Sequence, residues 1–141
     1  MKHIAMTPAS VLLLGLRAAM TQRPESHMFS RDTWLLKVLV EQMLETLPNE
    51  STCRVAAQRL RDPRRGVTDA RVARATEHLR AIGFLEAHGT GRDAVWSLPQ
   101  GGRSEVTHLW SSVSTAEQLA LNAAAQRTLA TSEAWSKTVR V

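Results

Sequence analysis

The sequence contains no tyrosine and a single cysteine, Cys53, and aromatic residues make up only 4% of it. One cysteine excludes an intrachain disulfide framework and fits a reducing cytoplasm. Long apolar runs are missing too. The longest one free of charge and proline, residues 9–16, ends at Arg17, far short of the roughly 20 residues that a membrane-spanning helix needs. Pro8 and Arg17 also interrupt the candidate apolar core of a signal peptide, and no small-x-small cleavage pattern follows. The expectation is a cytoplasmic protein with no membrane partner.

Catalytic and cofactor signatures are equally scarce. His3, His27, His78, His88 and His108 lie far apart and, with one cysteine, form no metal-ligand spacing. Gly89-Thr90-Gly91 lacks the Lys-Ser/Thr ending and the following helix of a phosphate-binding loop. There is no Gly-x-Ser-x-Gly elbow, and the scattered acidic residues form no obvious acid–base couple. No catalytic residue, metal or cofactor is expected, and the chain reads as a binding protein rather than an enzyme.

What is present is an ordinary globular composition with an unusual charge distribution. The 141 residues are 43% apolar and 22% charged, enough for one domain with a core. The net charge is +5. Residues 1–53 hold 5 basic and 5 acidic side chains, and residues 104–141 hold 3 and 3. Residues 54–103 hold 10 and 5, and all ten cations there are arginines. A localised excess of this kind is the electrostatic footprint of a polyanion-binding surface. Its plainer competitor is an arginine-rich composition spread over solvated helix faces.

Thr7-Pro8 predicts a helix start, and Val11, Leu12, Leu14, Leu16 and Met20 carry a short, mostly buried helix to about residue 20. Residues 21–29 read as a polar connection. Ser30 is the expected cap of a second helix whose apolar positions run from Trp34 to Leu47, where Pro48 stops it. A third helix begins near Ser51 and ends at Asp62-Pro63. Arg64-Arg65-Gly66-Val67 reads as a turn, and Thr68 caps a fourth helix. Val72, Ala75, Thr76, Leu79 and Ile82 form its inner face, and Gly83 is its C-terminal glycine. The period then changes to two: a strand at 84–87, a Gly-containing loop at 88–92, and a return strand at 93–98. Pro99-Gln100-Gly101-Gly102 reads as a linker. Ser114 and Glu117 make a capping box for an alanine-rich final helix to about Leu129, suited to close packing on another helix.

The order helix, helix, tight turn, helix, two-stranded hairpin is that of a winged helix-turn-helix. Residues 67–98 resemble the recognition helix and wing of bacterial winged-helix regulators. The residues that carry the likeness are the Leu79-x-x-Ile82-Gly83-Phe84-Leu85 junction and the Gly91-Arg92-Asp93 tip before an alternating strand. The resemblance covers residues 31–98. It implies a mainly α fold with a small β-hairpin, in which a winged helix-turn-helix domain (30–99) lies between an N-terminal helix and connection (1–29) and a C-terminal helical extension (100–141). Both flanking parts are similar to the segments with which such families build dimers.

On that reading the helix 69–82 enters the major groove of double-stranded DNA and the wing, 88–93, rests on the flanking backbone. Arg71, Arg74 and His78, at i, i+3 and i+7, are expected on the groove-facing side. Arg pairs bidentately with guanine, each good pair giving roughly 1–3 kcal/mol of discrimination. Thr68, at the helix start, and Arg64 and Arg65 before it are placed for phosphates, and Arg92 for a phosphate or an adjacent minor groove. Plainer readings stand beside these. Arg71 and Arg74 are also ordinary solvated helix residues, His78 a surface histidine, and Arg92 a loop-tip charge. Trp34 and Trp96 are expected in the core, Trp110 and Trp135 as packing anchors or partner contacts, and Cys53 as a small buried hydrophobe.

The expected function is a dimeric, sequence-specific transcriptional regulator. The alternative is a winged-helix protein–protein interaction module, an adaptor in replication or segregation or an inhibitor, that meets a partner protein through the C-terminal helix and binds no specific DNA.

Overall fold

Thr7 accepts the amide of Ser10 at 3.0 Å and so caps α1, Pro8–Thr21. This helix is buried all the way round: every residue from Val11 to Leu16, and Ala18, Ala19 and Met20. A helix apolar on all faces belongs in a protein interior, and α1 is the centre of this one. The computed structural model describes residues 6–22 and 27–139, with side chains to residue 132. Around α1 pack α2 (Thr33–Thr46), α3 (Thr52–Gln58), α4 (Asp69–Ala81), α5 (Gln100–Ser112) and α6 (Thr115–Val139). The N-terminal helix, expected as a flanking dimerisation element, is therefore the hub of the chain's own core. Its surface is already covered by five neighbours.

The chain is mainly helical with a small antiparallel sheet. In that sheet β1 (Phe29–Ser30) and β4 (Glu86–His88) lie on either side of β5 (Val95–Ser97), with Phe29 opposite Trp96 and Ala87 opposite Trp96. The stretch expected as pure connection thus ends in a strand. Phe29 is buried there, and Ser30 is a strand residue rather than a helix cap. Asp32 caps α2 instead, its carboxylate accepting the amide of Trp34 at 2.8 Å, as suits Asp at this position. The inner face of α2 is Leu35, Leu36, Leu39, Val40, Met43 and Leu44. Trp34 falls outside it and is 43% exposed, against the expectation of a core aromatic.

Ser51 caps α3, which buries Cys53, Ala56 and Ala57. Between α3 and α4 the chain forms a second, very short hairpin where a plain turn was expected: β2 (Arg61–Asp62) against β3 (Gly66–Val67). Asp62 Oδ1 accepts the amides of Arg64 (2.8 Å) and Arg65 (3.1 Å), and Gly66 takes φ +76° to close the turn. Helix α4 begins at its Thr68 cap, buries Val72, Ala75, Thr76 and Leu79, and ends at Gly83, whose φ is +83°. Ile82, expected on the inner face, is the C-cap residue and is 48% exposed.

Pro99 to Gly102, expected as a linker, is the start of α5. The two glycines are there because α5 presses on the chain leaving α4: a Cβ on Gly102 would lie 2.1 Å from the Phe84 carbonyl oxygen. Helix α6 buries Ala120, Leu121, Ala124, Ala125 and Thr128 against α1 and α2. Its alanines do permit close helix packing, within this chain. One hydrophobic cluster runs from Val11 to Ala125, so the expected N-terminal, central and C-terminal parts share a core. Trp110 is a packing anchor of α5, with the Arg17 guanidinium 4.4 Å from its ring centre. Trp135 lies outside the residues whose side chains are described. Among the described residues no helix is long and apolar enough to cross a membrane.

Candidate nucleic-acid interface

Helix α4 is held from below and left open above. Its buried stripe fixes its rotation, and Lys37 on α2 reaches Asp69 in its first turn at 3.1 Å. Exposed along the outside are Ala70, Arg71, Ala73, Arg74, Glu77, His78, Arg80 and Ala81. At 3.6 residues per turn, the line opposite the buried stripe passes through Ala70, Arg74, Glu77 and Ala81. Arg71 and His78 sit on one flank of that line and Arg80 on the other. The expected trio therefore divides, with Arg74 on the crest and Arg71 and His78 beside it.

Arg71 is committed elsewhere. Its Nη1 donates to the Arg59 carbonyl at 3.1 Å, and its Nη2 lies 3.8 Å from Asp62 Oδ2. It ties α4 to the β2–β3 hairpin, so Asp62 organises both the hairpin backbone and the arginine behind it. Arg54 is committed too, donating to the carbonyls of Leu44 and, at 3.0 Å, Leu47, which closes the C-terminal end of α2. Arg80 binds Glu77. Arg64, Arg65, Arg74, His78 and Arg92 are exposed, and among the described residues their side chains have no ion-pair or hydrogen-bond partner.

Thr68 Oγ1 accepts the amide of Arg71 at 3.3 Å, so its hydroxyl is used as a cap. Arg64 and Arg65 lie at the tip of the β2–β3 hairpin, directly before the start of α4. Arg92 lies in a single 3₁₀ turn, Gly91–Asp93, at the tip of the β4–β5 hairpin that follows α4. Gly89 and Gly91 take φ of +75° and +64° to make that tip.

Arg31 was not among the expected residues. Its amide donates to the Ala94 carbonyl at 2.9 Å, and its guanidinium lies 4.7 Å from the Trp96 ring centre. With Arg92 it lines an open cleft of about 1250 Å³ between the hairpin tip and the start of α2. Hydrogen bonds from Arg80 hold the Glu77 carboxyl on α4 below its usual range, with the charge of Arg80 and, least, that of Arg31 adding to the effect. No pattern in the sequence marks Arg31, since the two-residue strand β1 that positions it exists only through its pairing with β5.

Among the described residues no cluster of three His, Cys, Asp or Glu side chains could hold a metal ion. Comparison with known proteins finds no matching family model, no matching curated protein and no matching solved structure.

Proposed function

We propose that this chain is a winged helix-turn-helix protein that binds double-stranded DNA in a sequence-specific manner, as a dimeric transcriptional regulator. The observation that carries the reading is the setting of α4. It is a helix buried along one stripe, with an uncommitted arginine on its outer crest, Arg74, and arginine-tipped hairpins immediately before and after it in the chain. Arg74 would meet base edges in the major groove. Arg64, Arg65, Arg92 and Arg31 would meet phosphates, which supply affinity without sequence information. Of the two terminal helices expected to build a dimer, α1 is buried, which leaves the outer face of α6, where Leu119 is 65% exposed.

Binding to a pool of duplexes at varied salt tests the reading. The log–log salt slope should be close to 0.9 per phosphate contact. Arg74→Ala should lower discrimination between duplexes by about tenfold or more, as expected for one lost bidentate base contact. Arg65→Ala should weaken all duplexes alike and reduce the slope by about one contact. Arg71→Ala should act differently from both, by loosening the hairpin against α4. Failure to retain any duplex at low salt would defeat the proposal and leave the protein-binding alternative.

A further inference from the structure

Glu77 stands on the outer crest of α4, three residues after Arg74, where a carboxylate would face the most negative surface that the helix could meet. Its side chain is 60% exposed. It is also held in place: Arg80 Nε donates to both carboxylate oxygens, at 3.1 and 3.0 Å, and Nη2 donates again. A carboxylate brought up to DNA loses affinity for every sequence unless it finds a donor on a base edge. In the major groove the donors are the exocyclic amines of cytosine and adenine. Adenine places its N7 acceptor beside that amine, which a carboxylate cannot satisfy, so cytosine N4 is the partner that suits it.

Resting on the DNA-binding reading above, we infer that Glu77 is a specificity-determining residue that selects a cytosine in the base pair next to the guanine selected by Arg74. Three residues of helix advance about 4.5 Å, close to the roughly 3.4 Å between successive base pairs, so neighbouring pairs are within reach of the two side chains. Arg80 fixes the carboxylate and offsets part of its repulsion from the phosphates, while Ala70 and Ala81 keep the rest of the crest low enough for close approach.

The test is selection from a randomised duplex pool by the full chain and by its Glu77→Gln and Glu77→Ala variants, with affinity for an arbitrary duplex measured alongside. Glu77 is exposed, so neither change disturbs the core. The wild-type chain should select a motif with adjacent guanine and cytosine contacts. Glu77→Gln should exchange the cytosine for adenine, since an amide pairs with adenine N6 and N7. Glu77→Ala should erase the preference at that position, a loss of about tenfold, and raise affinity for the arbitrary duplex. A wild-type motif that survives both substitutions unchanged would overturn the role of Glu77 and leave the DNA-binding reading standing. A wild-type chain that enriches no motif would overturn both.

Discussion

Replacing Glu117 with alanine should cost about 3 kcal/mol of stability, because it removes hydrogen bonds to a charged group and leaves their neutral donors unsatisfied in the interior. Glu117 is buried although it carries a carboxylate, because two helix starts converge on it. Its Oε1 accepts the Ser114 amide and hydroxyl, each at 3.1 Å, which completes the capping box at the start of α6. Its Oε2 accepts the Ser51 hydroxyl at 2.5 Å and the Cys53 amide at 3.3 Å, at the start of α3. Truncation strands these donors and cuts a link between segments that are 66 residues apart in sequence.

The same carboxylate ties stability to pH. Burial opposes its charge, but hydrogen bonds from Ser51, Ser114 and Cys53 outweigh that and bring its pKa down from 4.5 to about 2. The folded state thus binds the proton less readily than the unfolded chain. The stabilisation is complete above about pH 4.5 and is lost as the pH falls through about 2. At about 1.4 kcal/mol per pKa unit, it amounts to about 3 kcal/mol at neutral pH. Urea unfolding at pH 7 and at pH 3 measures both effects. Wild type should lose more stability between the two pH values than Glu117→Gln, and equal urea midpoints for wild type and Glu117→Ala at pH 7 would refute the bridge. Nearby, Cys53 is fully buried, and its thiol is pushed up to about 12 by burial and then by its hydrogen bond to Glu117 and that group's charge. The thiol therefore stays protonated, as a small buried hydrophobe should.

Most features of this chain set by near neighbours were legible in its sequence, the Asp32 cap of α2 and the β2–β3 hairpin excepted, and features set by distant partners were not. Thr7-Pro8, Thr68, Gly83 and the Ser114–Glu117 pair act within a turn of their own position, and each does what its residue type suggests. The inner face of α2 was a different problem. Apolar residues at 34–36, 38–40 and 43–44 support two stripes about one residue apart, and packing on α1 and α6 selects the one with Leu36, Val40 and Leu44. The central position of α1 follows from its all-round apolar surface, which no single neighbour could cover. The candidate site divided in the same way. Arg64, Arg65, Arg74 and Arg92 follow from turns and helix period, whereas the tether on Arg71 comes from Asp62 and Arg59 across a hairpin. Arg31 became visible only once β1 had paired with β5.

Replacing Gly102 with alanine should destabilise the chain by about 3 kcal/mol or more, at or beyond the upper end of ordinary overpacking. The new Cβ would stand 2.1 Å from the Phe84 carbonyl oxygen and 2.9 Å from its carbon. Both atoms are backbone, so no side-chain rotation relieves the clash. Gly101→Ala is the control, since its Cβ would meet the Gly83 carbonyl oxygen at 3.3 Å, a distance met by a shift of a few tenths of an ångström. Gly83→Ala separates steric from conformational cost. A Cβ there meets nothing within 4 Å, and the left-handed φ alone should cost about 1–2 kcal/mol. The consequence extends beyond stability, because Phe84 is the residue through which α4 passes into β4. Moving it changes where the β4–β5 hairpin, and with it Arg92, stands relative to the crest of α4. Under the DNA-binding reading, Gly102→Ala at a temperature where it remains folded should weaken binding more than Gly101→Ala does, although position 102 lies on the far side of the hairpin in sequence from the proposed reading helix. Equal thermal midpoints for the two variants would show that α5 does not press on Phe84 as closely as the backbone geometry requires.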